Sequence, residues 1–357
     1  MLGIIWPEVR ERFDQSLGTL GVAALVLGIG RMSTALTGPW LVRRFGLGNA
    51  FVTVLSALGL SITALALADS WLMFLASLAC IGCCSGSLDS LGAGFITGIR
   101  DVGSAGLIHG AYGVGATIGP LLVVVVPNWR VALMCSAVMV AGAVVVAVRA
   151  RASWPEITPH IKTKGSWPPI LALSLSLGAF CAFVAIEVTT GQWAFTHLTE
   201  ARDAGGTLAA IAVSLFWGGL TLGRLALIRP TVREFAGRIG LSRLSVTSLI
   251  FVASLSLVPP ILAIPMLTLS GLALAPIVPT LFASTASRVG EDHAQQMAGL
   301  QLIATNVGGI GVPFMTGQLV DAFEPSVIIL VVTIAAAIGS LFLGAIERLP
   351  VQTPSIS

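Results

Sequence analysis

The chain has 357 residues, of which 55% are apolar and only 10% charged, with 40 glycines and a mean hydropathy of +0.95. So few charges cannot clothe the surface of a water-soluble protein of this length, and the formal net charge of +3 is small. No metalloprotease, P-loop or nucleophile-elbow pattern occurs with the spacing its chemistry requires, which argues against those enzyme classes.

Eleven apolar stretches of about 15 to 25 residues follow one another along the chain, and about 20 such residues at 1.5 Å rise cross a hydrocarbon layer of roughly 30 Å. In chain order the predicted transmembrane helices cover 18–40, 49–68, 71–95, 104–126, 131–149, 168–190, 205–228, 244–258, 261–285, 297–320 and 325–345. Ahead of the first, Met1 to Pro7 reads as the last turn of a further helix and Glu8 to Asp14 as an outer loop. Cys80, Cys83, Cys84, Cys135 and Cys181 fall inside apolar stretches and read as small packing residues; neither disulfides nor a metal site is expected. The polar interruption from Ala150 to Trp167, with Arg151, Pro155, Pro159, His160, Lys162 and Lys164, reads as a loop between two halves. The expected organisation is therefore a helix bundle over 1–149, a central loop over 150–167, a second bundle over 168–346 and a tail over 347–357.

Arginine and lysine near span ends are retained in the cytoplasm. Fourteen of the nineteen fall on one side, among them Arg43, Arg44, Arg100, Arg149, Arg151, Arg229, Arg233, Arg238, Arg243 and Arg348. The opposite side holds Arg10, Arg12, Arg130 and Arg202, and Arg31 lies deep within a span. The central loop and the C-terminus are thus expected in the cytoplasm. The positive balance follows from this asymmetry and gives no reason to expect a nucleic-acid partner.

An offset of 193 residues brings Ala105-Gly106-Leu107 onto Ala298-Gly299-Leu300, Gly115 onto Gly308, Pro120 onto Pro313 and Gly30-Arg31 onto Gly223-Arg224. Two parallel repeats joined by a cytoplasmic loop are an architecture of secondary transporters, with the solute near the midplane between them. By the same offset the helix at 168–190 calls for a partner upstream of Met1, so twelve helices are expected in a complete protein. The alternative is an eleven-helix chain with its N-terminus outside.

Several segments carry a family resemblance over nearly the whole chain. Pro39-Trp40-Leu41-Val42-Arg43-Arg44-Phe45-Gly46 is similar to a loop motif of the major facilitator superfamily, with Pro39 in place of its leading glycine and Arg43 in place of its aspartate. That family's loop-to-helix salt-bridge latch accordingly lacks its acid. Gly106, Gly115, Gly119 and Pro120 match the spacing of the family's fifth-helix antiporter motif, whose closing glycines are here Val123 and Val124. Leu107 to Gly113, Ser214-Leu215-Phe216-Trp217 with Gly223-Arg224, and Ala275-Pro276-Ile277-Val278-Pro279-Thr280 resemble segments of the fucose-permease-like branch. The resemblance implies an all-α polytopic membrane protein with a two-bundle fold, acting as a secondary transporter.

A charge at mid-membrane costs about 2.5 to 3.5 kcal/mol on insertion scales, so it needs a partner, a hydrated space or a function. Arg31, Asp89 and Glu187 are such charges. Arg31 lies twelve residues before Arg43 and Asp89 eleven before Arg100, which places them within about 2 Å in depth and allows pairing. Desolvation favours a protonated carboxyl and a nearby guanidinium a charged one, so Asp89 is the expected proton carrier and Arg31 its partner; the other reading is a permanent ion pair that fixes packing. His109 is a second titrating candidate. Glu187, Gln192, Trp193, Trp217, Gln301 and Asn306 are the solute-binding candidates, and the resemblance puts the Glu187 to Trp193 segment on a pathway-facing seventh helix. Gln301 and Asn306 lie about 140° apart on a helix, so they do not serve one ligand group together. Arg224 is expected to reach for the interface. Pro120, Pro276, Pro279 and Pro313 are expected kinks.

These readings lead to a monomeric transporter, in a bacterial inner membrane, of a small organic solute, with a sugar-like compound favoured, coupled to protons and without a cofactor. Efflux of an amphipathic drug or metabolite, or a non-transporting receptor or assembly subunit with the same fold, are the alternatives.

Overall fold

The computed structural model describes residues 1–99, 102–126, 128–151, 154, 170–285 and 291–348, with side chains described except at 93–99, 102–112, 291–296, 298, 299 and 302. The described residues are helices and their connections with no strand, as lipid demands of a chain that must satisfy its backbone within each span. In order these are α1 (Leu2–Phe13), α2 (Thr19–Thr34), α3 (Gly38–Phe45), α4 (Leu47–Ala66), α5 (Trp71–Ile99), α6 (Val102–Val125) and α7 (Trp129–Ala150). There follow α8 (Ile170–Thr196) with a π turn His197–Ala201, α9 (Gly206–Ala226), α10 (Pro230–Ile239), α11 (Leu241–Ser254), α12 (Ala263–Leu274), α13 (Ile277–Ala283), α14 (Glu291–Ala322) and α15 (Val327–Ile346).

Among the described residues seven helices are long and apolar enough to cross a membrane, or nine if two bent pairs each count as one span. That count takes in α6 only over Gly113–Val125 and does not include α14, a helix of 32 residues, so among the described residues seven to nine of the expected eleven spans are counted. Three predicted boundaries change for local reasons. The span expected at 18–40 breaks after Thr34 and turns by 55° into α3. There the Ser33 and Thr37 hydroxyls donate to the Gly30 and Thr34 carbonyls at 2.7 Å, and Pro39, near the start of α3, has no N–H to continue the ladder. The span at 261–285 is interrupted at Ala275–Pro276. Finally, α1 runs on through Phe13 where the polar residues suggest a loop, because Trp6 and Val9 are fully buried and the Trp6 indole donates to the Leu17 carbonyl at 3.0 Å.

Two compact units result. The first comprises Ile5–His109 and Leu122–Lys162, the second Met1–Ile4, Gly110–Leu121 and Thr163–Ser357. In the first, α2 packs on α5, and α4 on α5 and α7. One end is closed by aromatic rings: Trp71 stacks on Phe74 at 5.4 Å, with Trp6 and Trp129 edge-on at 6.1 Å. Beside them Asn128 caps α7, and Arg130 donates to the Ala68 carbonyl at 2.7 Å.

In the second unit α9 packs on α12, α11 on α12 and α15, and α8 on α14 and α15. Its core is built on Phe180, Phe183, Ile186 and Trp193 of α8 with Phe216 and Leu220 of α9. The packing order of α9, α11, α12 and α15 repeats that of α2, α4, α5 and α7, in agreement with the 193-residue offset. The turns repeat as well, one residue out of that register: Gly46 at φ 74° leads α3 into α4 and Gly240 at φ 88° leads α10 into α11, a backbone region that only glycine enters freely.

Candidate functional site

Glycines decide which polar side chains meet. Where α2 crosses α5, a Cβ on Gly30 would strike the Ala79 carbonyl, one on Gly82 the Leu27 carbonyl and one on Gly86 the Arg31 carbonyl. Without side chains the two backbones touch directly, the contact on which helix pairs in lipid depend. Arg31 stands beside this crossing, and Asp89 about two turns along α5 from Gly82. The Arg31 Nε donates to Asp89 Oδ2 at 2.7 Å, a charge-assisted bond, and the two side chains are 44% and 51% exposed. The pairing expected from depth alone is therefore present, and its surface is half open. Below it Thr34 donates to the Cys83 carbonyl at 2.6 Å, and the Gly38 N–H donates to Ser90 Oγ at 3.0 Å.

The second unit repeats the crossing and changes the pair. A Cβ on Gly219 would meet the Thr268 carbonyl and one on Gly271 the Phe216 carbonyl, so α9 and α12 also touch through their backbones. By the repeat offset the position of Asp89 falls on Phe282, which packs against Phe180 at 4.4 Å between ring centroids and offers no charge. Arg224 turns instead to α8, where its Nη2 donates to Glu187 Oε2 at 2.6 Å; the side chains are only 22% and 13% exposed. Arg224 thus does not reach out to the interface as its nearness to Arg229 suggests, because a carboxylate lies within reach on a neighbouring helix. The repeat holds the signal: an arginine equivalent to Arg31 at similar depth needs an acid, and Glu187 is an acid within the adjoining span. One turn further along α8, Gly191 lies directly against the Trp217 ring.

The remaining candidates divide by how they are used. Trp193 is fully buried and its indole donates to the carbonyl of Pro313, a proline inside α14, at 3.2 Å. Gln301 is likewise fully buried, its amide donating to Ser176 Oγ at 2.8 Å and to Thr285 Oγ1 at 3.1 Å. Both side chains spend their polar groups inside the bundle. Gln192 and Trp217 are half-buried, and Asn306 is half-buried on α14. Gln192 Oε1 and Arg224 Nε are buried atoms without a hydrogen-bond partner among the described residues. The side chain of His109 lies outside the described residues. His197, which periodicity does not single out, is buried in the π turn against the Pro325 backbone.

Two units with one packing order, each crossing held by glycines and each carrying an intramembrane arginine–carboxylate pair, define the two-repeat class of α-helical membrane transporter. The chain belongs to the Major Facilitator Superfamily, whose profile matches residues 1–313. Among solved structures, a bacterial homolog of the human lysosomal transporter Spinster, inward-facing and occupied, superposes with a TM-score of 0.71 at 13% identity over 99% of this chain and 94% of that one. The transporter FucP of the same superfamily, in its outward conformation, gives 0.62 at 15% identity over 97% and 94%. Both likenesses concern the fold. Bypass of stop codon protein 6 of Saccharomyces cerevisiae is 38% identical over 53 residues, which is 15% of this chain and 11% of the yeast protein, so the shared part is a small fraction of that relative. Family and fold together imply membrane transport by alternating access.

Proposed function

We propose that the protein is a secondary active transporter that moves a small organic solute, sugar-like in its hydroxyl content, with coupling through proton exchange at Asp89. The observation that carries this reading is the half-open Arg31–Asp89 pair within the span. Charges with that much uncovered surface would face acyl chains only at several kcal/mol, so the reading gives them a hydrated space, where a carboxylate can exchange a proton when its guanidinium partner swings away. The more enclosed Glu187–Arg224 pair is the less accessible of the two.

For the solute, the support comes from Gln192 Oε1 and Arg224 Nε. Unpaired buried polar atoms are rare, and each marks a place where water or a ligand group completes the bonding. Glu187, Trp217 and Asn306 join them as candidates, whereas Trp193 and Gln301 hold the bundle together. The arginine asymmetry supports a cytoplasmic C-terminus, in an inner membrane.

The test is transport in proteoliposomes with an imposed pH gradient, against a panel of hexoses, pentoses and lipophilic cations. Gradient-driven uptake of a hydroxylated solute is expected for the wild type. Asp89→Asn should lose the gradient-driven component and keep counterflow. Full gradient-driven uptake by that variant removes Asp89 as carrier, and movement of the lipophilic cations alone turns the reading to efflux.

A further inference from the structure

We propose that α10 is an interfacial helix that binds anionic phospholipid headgroups. Its axis is bent by 80° from α11, the helix that follows and enters the membrane. A helix nearly perpendicular to a span lies along the bilayer plane. That direction is held at the junction: Gly240 takes φ 88°, and the Glu347 carboxylate at the end of α15 accepts from the Ser242 N–H at 3.0 Å and the Ser242 hydroxyl at 2.6 Å.

The sequence of α10 suits that position. At 100° per residue Val232, Phe235, Ala236 and Ile239 fall within an arc of about 100°, while Arg233, Glu234 and Arg238 point the other way. None of its residues is fully buried: Val232, Ala236 and Ile239 are half-buried and Phe235 is 64% exposed, so the described residues cover the apolar stripe only in part. With Arg229 before it and Arg243 after it, the segment carries four arginines and one acid, Glu234. Glu234 is 3.9 Å from Arg238, and among the described residues Arg229 and Arg233 have no carboxylate partner. An apolar stripe that lies along the membrane surface next to unneutralised guanidinium groups matches the acyl boundary and the phosphates above it. A protein partner is less well suited, because the stripe is four residues wide and lipid is already beside it.

The test places p-benzoylphenylalanine at position 235 of the full chain, in nanodiscs of phosphatidylglycerol and phosphatidylcholine in equal amounts. After irradiation, lipid adducts are identified by mass. Adducts enriched in phosphatidylglycerol about fivefold over the bilayer ratio are expected. The enrichment should fall toward the bilayer ratio in R233Q/R238Q and survive in R233K/R238K. Absence of lipid adducts would place position 235 in water and overturn the interfacial position. Adducts in the bilayer ratio for the wild type, or enrichment unchanged in R233Q/R238Q, would overturn anionic recognition. The native fold of each variant is checked by its size-exclusion profile, and the adduct ratio is read only within the monodisperse fraction.

Discussion

The two ion pairs should respond very differently when one partner is removed. Glu187→Leu leaves the Arg224 guanidinium in a site where its side chain is 22% exposed, where Nη2 has lost its acceptor and Nε has none among the described residues. Breaking an enclosed pair from one side costs about 3 to 5 kcal/mol, and the remaining exposure lowers this to about 2 to 4 kcal/mol. The double variant Glu187→Leu/Arg224→Met removes both charges at similar volume and should return to within about 1 kcal/mol of the wild type. Asp89→Asn acts on a pair whose side chains are 44% and 51% exposed, so its cost should stay at about 1 kcal/mol or below. The measurement is unfolding of the detergent-solubilised protein in a denaturing-detergent titration, run as a double-mutant cycle for each pair. The reasoning fails if the double variant is as unstable as Glu187→Leu, or if Asp89→Asn costs as much as Glu187→Leu.

Three further outcomes are expected. Gly82→Leu and Gly271→Leu each push a side chain onto the backbone of the facing helix, which should cost at least about 1 to 3 kcal/mol and lower the melting temperature; a normal melt would deny the close crossings. Gln301→Leu removes the amide bonds to the Ser176 and Thr285 hydroxyls, while Thr285 keeps its bond to the Leu281 carbonyl, for a loss of about 1 to 3 kcal/mol in the same titration, with solute counterflow retained. Trp193→Phe removes the bond to the Pro313 carbonyl and should cost about 1 kcal/mol; lost counterflow with unchanged stability would instead put the indole on the solute path.

Much of the site is legible in the sequence. Counting back from Arg43 and Arg100 puts Arg31 and Asp89 at one depth, since rise along a helix is constant and charge marks the membrane edge. The Glu187–Arg224 pair escapes such counting, because distance along one helix says nothing about which neighbour stands opposite, and Arg229 makes an exit to the interface equally reasonable. Trp193 and Gln301 stand out as polar groups within lipid, yet their partners, Pro313, Ser176 and Thr285, lie 120, 125 and 16 residues away in the chain.

Alone, the order of residues determined the helical class, the near-twofold repetition and the matching level of Arg31 and Asp89 that lets them pair. All three depend on apolar run length, on spacing and on the cost of charge in hydrocarbon, quantities local to one segment. Which helices touch, and through which glycines, was decided only in three dimensions. So were the surface course of α10 and the division of polar groups between enclosed and open pairs. Those outcomes depend on how separate helices pack side by side, and in lipid, where every helix is apolar, hydrophobic pattern does not select the neighbour.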